Sequence, residues 1–455
     1  MNPLDYFFKP KNIAIIGASH EPAKIGHVVM QNFLNCGFKG KIAPVNPKKG
    51  TILNHKVYGS VSEVPFGIDL AVIAVPSQFV PKAVEECGKK RVKAVIIISS
   101  GFGEIGDKEL TGELRKAMER HPRMRVIGPN CLGVMHIKHG IDTLFLPSYR
   151  LERPKSGTIS FISQSGALGS AILDWASLKG YGINKFVSYG NAMDIDEADL
   201  LDYLARDKET KVIVVYLEGV KHGRKFFEIA KRATKKKPII VIKGGITEAG
   251  AKATASHTGA LAGNIEVYKA MFKQANIIQA NTMEEVFDFA RVFDREPKPK
   301  GNRVQIITNG GGYGILATDA VLNNGLRLAN MSAEAKKIIK DNCPPYAIIS
   351  NPIDLTGDAD NKRYKIALEQ AMMDENIDML LVILLFQVPT LDSEIIEVVT
   401  EMRAKQKKPM LIMSAGGNYS EIHKNALEKE RINTFDSTFN AAKSLKALAD
   451  YYLVK

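Results

Sequence analysis

The sequence predicts an α/β protein in which three domains each contain a parallel sheet. Short apolar runs such as NIAIIGA (12–18) and LAVIAVP (70–76) alternate with amphipathic stretches. This alternation is typical of parallel strands joined by crossover helices. Two segments rich in proline and charge interrupt it, SYRLERPKSG (148–157) and REPKPKGNR (295–303). At 455 residues, the chain has room for about three domains of ordinary size.

The predicted domains cover residues 1–149, 150–298 and 299–455, and the second and third are predicted to be copies of one unit. Apolar strands alone would recur in any α/β sequence. Basic residues, a proline, a strand and a double glycine that recur in one order favour an internal duplication. The matching segments are GTISFISQSGALGSAILD with NRVQIITNGGGYGILATD, KVIVVYLEGV with DMLLVILLFQV, and KKKPIIVIKGG with KQKKPMLIMSAGG.

Composition narrows the range of functions. The net charge is +13, but the basic residues are spread along the chain and no nucleic-acid-binding motif occurs, so anionic small molecules or an acidic partner subunit are the expected ligands. The longest apolar run, MLLVILLF (379–386), is far shorter than the roughly 20 residues that cross a bilayer, and we expect a cytoplasmic protein with no membrane contact. The four cysteines form no CxxC pair, which predicts reduced thiols and no metal site.

The first domain begins with a strand, a glycine turn and a helix, IAIIGASHEPAKIGHVVMQNFL (13–34). Such a turn offers backbone N–H groups and a helix N-terminus to an anion. A GxGxxG fingerprint is absent, and the second strand ends in PVNPKKG (44–50) rather than in an acid. Coenzyme A therefore fits, NADP is the rival ligand, and a tight turn without a ligand is the structural alternative. The candidate contacts here are Gly17, Ser19, Lys24, Gly26, Asn46 and Lys48.

Three further strand ends are expected on the same edge of the first sheet: VPS (75–77), SSGFGE (99–104) and GPNCLG (128–133). Ligands of α/β proteins bind at the carboxyl ends of the strands. Cys131 is interpreted as a packed thiol rather than a nucleophile, because nothing in the sequence marks it as activated. The candidate contacts from these segments are Pro76, Ser99, Ser100, Gly101, Asn130 and Cys131.

Each of the other two domains has its own strand, small-residue turn and helix start, FISQSGALGS (161–170) and ITNGGGYGIL (307–316). Both are plausible phosphate-binding turns. The G-x-S-x-G motif of serine hydrolases is not matched, because no glycine precedes Gln164 at the required position. The candidate phosphate contacts are Ser163, Gln164, Ser165, Gly166, Asn309, Gly310, Gly311 and Gly312.

One histidine has a distinctive setting. His257 lies in ASHTGALAG (255–263), on the small-residue loop that follows the strand IIVIKGG (239–245). A neutral imidazole beside a phosphate site is a competent nucleophile toward phosphorus, and a carboxylate on its other nitrogen would orient it. Glu218, at the end of the strand VIVVYLE, is the candidate carboxylate. In the third domain the sequence aligns Phe386 with Glu218, and no small-residue loop that carries a histidine follows SAGG. A loop histidine without a catalytic role is the alternative.

These segments carry a resemblance over the whole chain. GASHEPAKIG, VNPK, SSGFGE, GPNCLG, SQSGALG, ASHTGALAG and NGGGYGILATD occur in the order found in the α subunits of ADP-forming acetyl-CoA synthetases. That family of acyl-CoA synthetases is related to succinyl-CoA synthetase. The resemblance implies a Rossmann-like CoA-binding domain followed by two flavodoxin-like ligase domains.

The resemblance also implies the reaction acetyl-CoA + ADP + phosphate ⇌ acetate + ATP + CoA. His257 matches the family's phosphorylated histidine and Glu218 its supporting glutamate. An ATP-grasp β subunit, in an α2β2 heterotetramer, would bind ADP/ATP and Mg. Branched-chain, aryl or succinyl substrates stay open, as does a non-catalytic CoA-binding regulatory protein; an NADP-linked oxidoreductase is the rival from another enzyme class.

The paired turns lead to a last expectation. A phosphohistidine carries close to two negative charges, and one helix N-terminus offers only about half a positive charge. We therefore predict that the helices that begin near Gly166 and Gly312 direct their N-termini at one spot, with phosphorylated His257 between them.

Overall fold

The computed structural model describes residues 2–252, 264–405 and 407–453. The chain divides into two compact units, Met1–Asn281 and Thr282–Lys455. His257 lies outside the described residues.

The first sheet is parallel throughout, with the strand order β2-β1-β5-β6-β7, and a separate hairpin pairs β3 with β4. Its strands are β1 Asn12–Ile16, β2 Lys41–Val45, β3 Gly50–Ile52, β4 His55–Val57, β5 Leu70–Ile73, β6 Ala94–Ile97 and β7 Arg125–Ile127. Its helices are α1 Asp5–Phe8, α2 Ile25–Asn35, α3 Val80–Lys89 and α4 Lys108–Glu119.

The second sheet has the order β14-β13-β12-β10-β11-β8-β9. Its strands are β8 Gly133–His136, β9 Ile141–Asp142, β10 Ser156–Ser163, β11 Ile183–Ser188, β12 Val212–Leu217, β13 Ile239–Lys243 and β14 Ile278–Ala280. Its helices are α5 Gly166–Leu178, α6 Glu197–Arg206, α7 Gly223–Ala233 and α8 Ile265–Gln274. Strands β8 and β9 pair antiparallel, so residues before 149 extend the second sheet. The domain boundary at 149 stays a prediction.

The second unit contains one further, mostly parallel sheet, in the order β17-β18-β15-β19-β20-β21 with β16 beside β15. Its strands are β15 Arg303–Thr308, β16 Arg327–Leu328, β17 Ile348–Ile349, β18 Ile353–Asp354, β19 Met379–Ile383, β20 Met410–Met413 and β21 Thr434–Phe435. Its helices are α9 Met283–Arg295, α10 Gly311–Asn323, α11 Ala333–Asp341, α12 Asn361–Met373, α13 Glu394–Ala404, α14 Asn418–Lys429 and α15 Thr438–Leu453.

Helix α9 packs with the second unit although the predicted boundary at 298 would assign it to the second domain. Arg291 and Arg295 on this helix form ion pairs with Glu428, and the Phe293 ring packs edge-on against Tyr451 at 5.4 Å. These contacts hold the helix against the third sheet. The boundary itself stays a prediction.

The central strands are apolar because both of their faces are covered by helices. Every residue of β5 and β19 is buried. A single cluster of buried apolar side chains includes Ile13 of the first sheet and Ile213 of the second. Phe8 stacks on Tyr203 with ring centroids 5.3 Å apart, which fixes α1 against α6. The first and second domains therefore form one packed unit.

Among the described residues, no helix combines the length and the apolar character that a membrane crossing requires.

The second and third sheets share a strand order, which agrees with the predicted duplication. The order β14-β13-β12-β10 in one corresponds to β21-β20-β19-β15 in the other. The register corrects one aligned pair. Val215 pairs with Ile162, and Val382 pairs with Ile307, so the position of Glu218, three residues on, is occupied by Leu385. The alignment with Phe386 was wrong by one residue, because the aligned segment DMLLVILLFQV is one residue longer than KVIVVYLEGV and the extra residue follows the strand.

Candidate active site

One large cavity, of about 2100 Å³, lies in the first unit and is lined by both of its sheets. Its walls come from the loops at the carboxyl ends of the parallel strands, where α/β proteins bind ligands. The cavity joins the expected CoA site to the expected phosphate site of the second domain.

Most of the predicted contacts in the first unit line this cavity. Lys48, Gly101 and Ser163 are not among the lining residues. The predicted turn from Asn309 to Gly312 belongs to the second unit. The lining residues that the sequence predicted are Gly17, Ser19, Lys24, Gly26, Asn46, Pro76, Ser99, Ser100, Asn130, Cys131, Gln164, Ser165, Gly166 and Glu218.

Gly17 stands where the order of the first sheet reverses, between β1 and β5. Its φ is +92°, and a Cβ on it would lie 2.4 Å from the carbonyl oxygen of Ala74. A Cβ on Gly26, at the start of α2, would lie 2.0 Å from the carbonyl oxygen of Gly17. Only glycines allow the turn and the helix N-terminus to approach this closely. The N–H groups of Gly17 and Ala18 donate to the carbonyl of Val45, so the anion-binding feature at this point is the N-terminus of α2.

Several side chains of this domain hold the loops. Asn46 donates through Nδ2 to the carbonyl of Ala18 at 2.7 Å, and its Oδ1 accepts the backbone N–H of Lys48 at 2.8 Å. The Ser99 hydroxyl donates to the carbonyl of Val75 at 2.5 Å. These bonds tie neighbouring strand ends together and so fix the shape of the cavity.

Cys131 is buried, and its Sγ donates to the carbonyl of Ile97 at 3.2 Å. Burial raises the pKa of this thiol to about 12. A thiol that stays protonated at neutral pH is a poor nucleophile. The geometry agrees with the interpretation of Cys131 as a packing residue that borders the cavity.

The phosphate-binding turn of the second domain is built by serines. The Ser163 hydroxyl donates to the carbonyl of Ser165 at 2.6 Å, and the Ser165 hydroxyl caps α5 by accepting the N–H of Leu168 at 3.3 Å. The first helical residues, Gly166 and Ala167, line the cavity. The N-terminus of α5 therefore presents its positive end to any anion bound there.

Glu218 is placed next to this turn because β10 and β12 are paired neighbours. The side-chain oxygen of Gln164 accepts the backbone N–H groups of Glu218 at 2.7 Å and of Gly219 at 3.1 Å. Gln164 thus uses its amide to hold the loop that carries the carboxylate.

Residue Glu218 is only 9% exposed, and its carboxylate accepts a hydrogen bond from the Tyr216 hydroxyl at 3.3 Å. Burial, together with this carboxylate, raises the pKa of Tyr216 to about 12, so the phenol stays a donor. Lys243, at the end of β13, donates to the carbonyl of Glu218 at 2.8 Å. The loop that contains His257 follows β13, so it leaves the sheet beside Glu218.

Glu104 and Asn191 line the cavity, and neither was a predicted contact. Glu104, the last residue of SSGFGE, accepts the Asn191 amide at 2.5 Å across the two domains. Asn191 belongs to the segment VSYGNAMDIDEADLLDYL (187–204), whose acidic residues are typical of a helix start. The polar pair Gly190-Asn191 directly after an apolar strand was the signal available in the sequence.

Within the described part of the chain, one trio offers metal-ligand atoms within 4.8 Å of one another: His136, His139 and Glu209. The Glu209 carboxylate, however, is already ion-paired with Lys138 Nζ at 2.5 Å, and it lies 3.5 Å from Lys185 Nζ. The trio therefore belongs to a cluster of ion pairs.

Three domain families match the chain in sequence. A CoA binding domain matches residues 11–137, a succinyl-CoA ligase-like flavodoxin domain matches residues 156–293, and a ligase-CoA domain matches residues 304–452. The cavity lies between the first two. The fold and the site thus define a CoA-dependent ligase of the succinyl-CoA ligase type.

Relatives narrow the assignment. The α subunit of ADP-forming acetate–CoA ligase I from Pyrococcus furiosus is 44% identical over 98% of this chain and 97% of its own length. An ADP-forming acetate–CoA ligase from Methanocaldococcus jannaschii is 43% identical over 99% of this chain, which spans 64% of that longer protein.

A solved structure agrees. The acetyl-CoA synthetase 1 of Candidatus Korarchaeum cryptofilum, in complex with phosphate and ADP, superposes with a TM-score of 0.94 at 38% identity, over 99% of this chain and 97% of that one. The chain belongs to the family of ADP-forming acetate–CoA ligases. This membership confirms the predicted family, the α/β fold and the predicted enzyme class, an acid–thiol ligase.

Proposed function

We propose that this chain catalyses the CoA-dependent half of acetyl-CoA + ADP + phosphate ⇌ acetate + ATP + CoA. The observation that carries the proposal is the shared cavity, which brings the strand-end loops of the CoA-binding domain to Gln164, Gly166 and Glu218. A CoA thioester and a phosphate ion can therefore meet in one space.

The first step is the attack of a phosphate oxygen on the thioester carbonyl. The C–S bond breaks, CoA leaves as a thiolate that takes up a proton, and an acyl phosphate forms. The N-terminus of α5 is placed to bind the phosphoryl oxygens, where negative charge is concentrated. Ser165, which caps this helix, fixes the direction of its N–H groups.

In the second step a ring nitrogen of His257 attacks phosphorus, the P–O bond to the acyl group breaks, and acetate leaves. Glu218 would accept a hydrogen bond from the other ring nitrogen and so stabilise the positive charge that develops on the imidazole. Gln164 and Tyr216 hold Glu218 for this task. The role of His257 follows from the sequence, because the residue lies outside the described part of the chain.

The third step needs a partner. We infer that an ATP-grasp β subunit, in an α2β2 assembly, brings ADP and Mg²⁺ to phosphohistidine 257 and receives its phosphoryl group. The name of the Pyrococcus furiosus relative, an α subunit of nearly equal length, supports a separate partner chain. The Methanocaldococcus jannaschii relative is longer, since this chain spans 64% of it.

The test is a labelling experiment with the chain and radioactive phosphate. With acetyl-CoA present, an acid-labile and alkali-stable phosphoryl group should form on the protein, and His257→Ala should form none. Branched-chain, aryl and succinyl thioesters compared at equal concentration would rank the acyl group. No label with any thioester, together with tight CoA binding, would favour the regulatory protein; tight NADPH binding without CoA binding would favour the oxidoreductase.

A further inference from the structure

Asn191, in the loop after β11, connects three loops that line the cavity. Its Nδ2 donates to Glu104 Oε2 at 2.5 Å, and its Oδ1 accepts Asn130 Nδ2 at 3.3 Å. Its backbone carbonyl accepts Lys221 Nζ at 2.5 Å. Glu104 and Asn130 belong to the CoA-binding domain, whereas Lys221 lies three residues after Glu218. One asparagine therefore contacts both halves of the site.

Glu104 also binds the backbone of its own loop, 99–104, which is the candidate CoA-binding loop. Its other oxygen, Oε1, accepts the backbone N–H groups of Gly101 at 2.5 Å and of Phe102 at 3.2 Å. Burial alone would raise the pKa of Glu104, but the hydrogen bonds from Gly101 and Asn191 outweigh it and hold the pKa below its ordinary value. The carboxylate is ionised at neutral pH, so both of its oxygens act as strong acceptors.

The backbones of residues 129–130 and 190–191 are also in close contact. The Asn191 N–H donates to the carbonyl of Pro129 at 2.9 Å. Gly190 has a φ of +57°, and a Cβ on it would lie 2.2 Å from the carbonyl oxygen of Asn130. Only glycine at 190 lets the two segments lie this close, which indicates a built contact rather than a chance meeting of surface loops.

We propose that Asn191 is a positioning residue for the acyl-transfer half of the reaction, joining the CoA loop 99–104 to the loop that carries Glu218 and Lys221. The inference rests on the proposed function and adds a residue to it. Asn191 touches no reacting atom in this scheme. It keeps the thioester end of CoA in register with the phosphate-binding turn, a geometry on which acyl transfer to phosphate depends steeply.

The two routes to the phosphoenzyme separate this role from a general structural one. Acetyl-CoA and phosphate phosphorylate His257 only when the CoA loop is in place. ATP, delivered through a reconstituted β subunit, phosphorylates the same histidine without using the CoA loop. Loss of the Asn191 amide should therefore impair the first route and spare the second.

The experiment compares Asn191→Ala with the wild type on both routes. The rate from acetyl-CoA and phosphate should fall about tenfold, with a raised KM for the thioester, while the rate from ATP should stay within about twofold. Asn35→Ala is the matched control, since Asn35 donates to Ser148 and does not line the cavity. An equal loss on both routes, or none on either, would overturn the positioning role.

A reversed pair provides a rescue. Asn191→Asp sets a second carboxylate against Glu104 and should be worse than Asn191→Ala at neutral pH. In the double variant that also carries Glu104→Gln, the side-chain NH2 of the new glutamine can donate to the aspartate at position 191. The side-chain oxygen of that glutamine can still accept the N–H of Gly101. The double variant should recover at least half of the lost rate, and no recovery would contradict the proposal. Absence of phosphoenzyme by both routes in the wild type would instead reject the proposed function.

Discussion

The second and third domains use one backbone design for two different strand ends. Ser163 donates to the carbonyl of Ser165, and Thr308 donates in the same way to the carbonyl of Gly310. Both turns start a helix of 13 residues, α5 and α10. The turn that could cradle a phosphate is therefore present twice.

The next residue of each turn also plays the same part. Gln164 accepts the backbone N–H of Glu218 at 2.7 Å, and Asn309 accepts that of Leu385 at 3.0 Å. Asn309 returns a bond from Nδ2 to the carbonyl of Leu385 at 3.0 Å. The amide thus anchors the neighbouring strand in both domains.

The difference lies in what the anchored strand presents. In the second domain it ends in Glu218, a carboxylate at the cavity; in the third domain the same position is Leu385, whose side chain has no polar group. Helix α6 begins with the buried Glu197, and α12 begins with Asn361. The comparison teaches that hydrogen bonding and packing preserve the scaffold, while a few side chains decide where chemistry can occur.

The largest expected effect comes from His257, the loop histidine that has no counterpart in the third-domain sequence. His257→Ala should abolish overall turnover, because in the proposed scheme the phosphoryl intermediate forms on this imidazole. CoA affinity, measured by calorimetry, should stay unchanged. His222→Ala, an exposed histidine of the same domain, is the control. Turnover near the wild-type rate in His257→Ala would remove the functional difference between the two domains.

The second largest effect is expected for the carboxylate of Glu218. Glu218→Gln keeps the shape but loses the charge that supports an imidazolium, and phosphoenzyme formation should fall about 100-fold. The reciprocal change in the third domain, Leu385→Glu, should leave the rate of phosphoenzyme formation unchanged, because no counterpart of the ASHTGALAG loop follows β20; His423, the histidine after β20, lies within α14 and stacks on Phe386. Rapid-quench labelling measures both, and a strong effect of Leu385→Glu would place the third-domain strand end at the reaction.

A smaller effect tests whether the third-domain turn shares the work of binding the phosphoryl group. A Cβ at Gly312 would meet nothing within 4 Å, whereas one at Gly166 would lie 3.4 Å from Leu132 Cβ. Gly312→Ala should therefore fold normally and stabilise α10 by about 0.5–1 kcal/mol. If both helix N-termini serve phosphohistidine 257, Gly312→Phe should slow phosphoenzyme formation about tenfold while CoA still binds.

Thermal unfolding of Gly312→Phe is the accompanying measurement. A normal melting temperature with unimpaired labelling would mean that the turn at Gly312 has another task.

The smallest effect on activity concerns Glu197. Burial first, and the nearby Asp196 in addition, raise the pKa of this carboxyl from its ordinary value of 4.5 to about 7. Between these values the folded chain binds more protons than the unfolded chain, so wild-type stability should fall as the pH rises through this window. Glu197→Gln lacks this slope and should gain up to about 3 kcal/mol at pH 8 relative to the wild type, with little difference at pH 4.

Urea unfolding at several pH values measures this difference, and Asn361→Gln in the third domain is the matched variant without a titrating group. Parallel stability curves for Glu197→Gln and the wild type would contradict the shifted pKa.

Much of the fold could be predicted from the sequence, because the patterns that indicate strands, helices and turns lie within short segments. The alternation of apolar runs and amphipathic stretches predicted parallel strands and crossover helices, and the duplicated segments predicted two sheets of one order. The small-residue turns after β1, β10 and β15 were visible as glycine and serine at strand ends. The resemblance of these segments to a known family indicated the reaction and the roles of His257 and Glu218 in it.

Other features depend on contacts between distant segments. The one-residue error that aligned Phe386 with Glu218 arose because loop length hides strand register, which only the pairing of β15 with β19 reveals. Strands β8 and β9 precede the proline-rich break yet complete the second sheet. No local pattern contains that information, since pairing energy depends on residues far apart in the chain.

The sequence by itself determined the α/β class, the family and the residue types available for chemistry, because composition, periodicity and motifs are properties of short segments. The tertiary structure decided that the CoA loops and the phosphate turn share one cavity, and that Asn191 joins Glu104 to Lys221. Hydrogen bonds fall off within a fraction of an ångström and depend on angle, so which polar groups meet is settled only when the packed core fixes their positions.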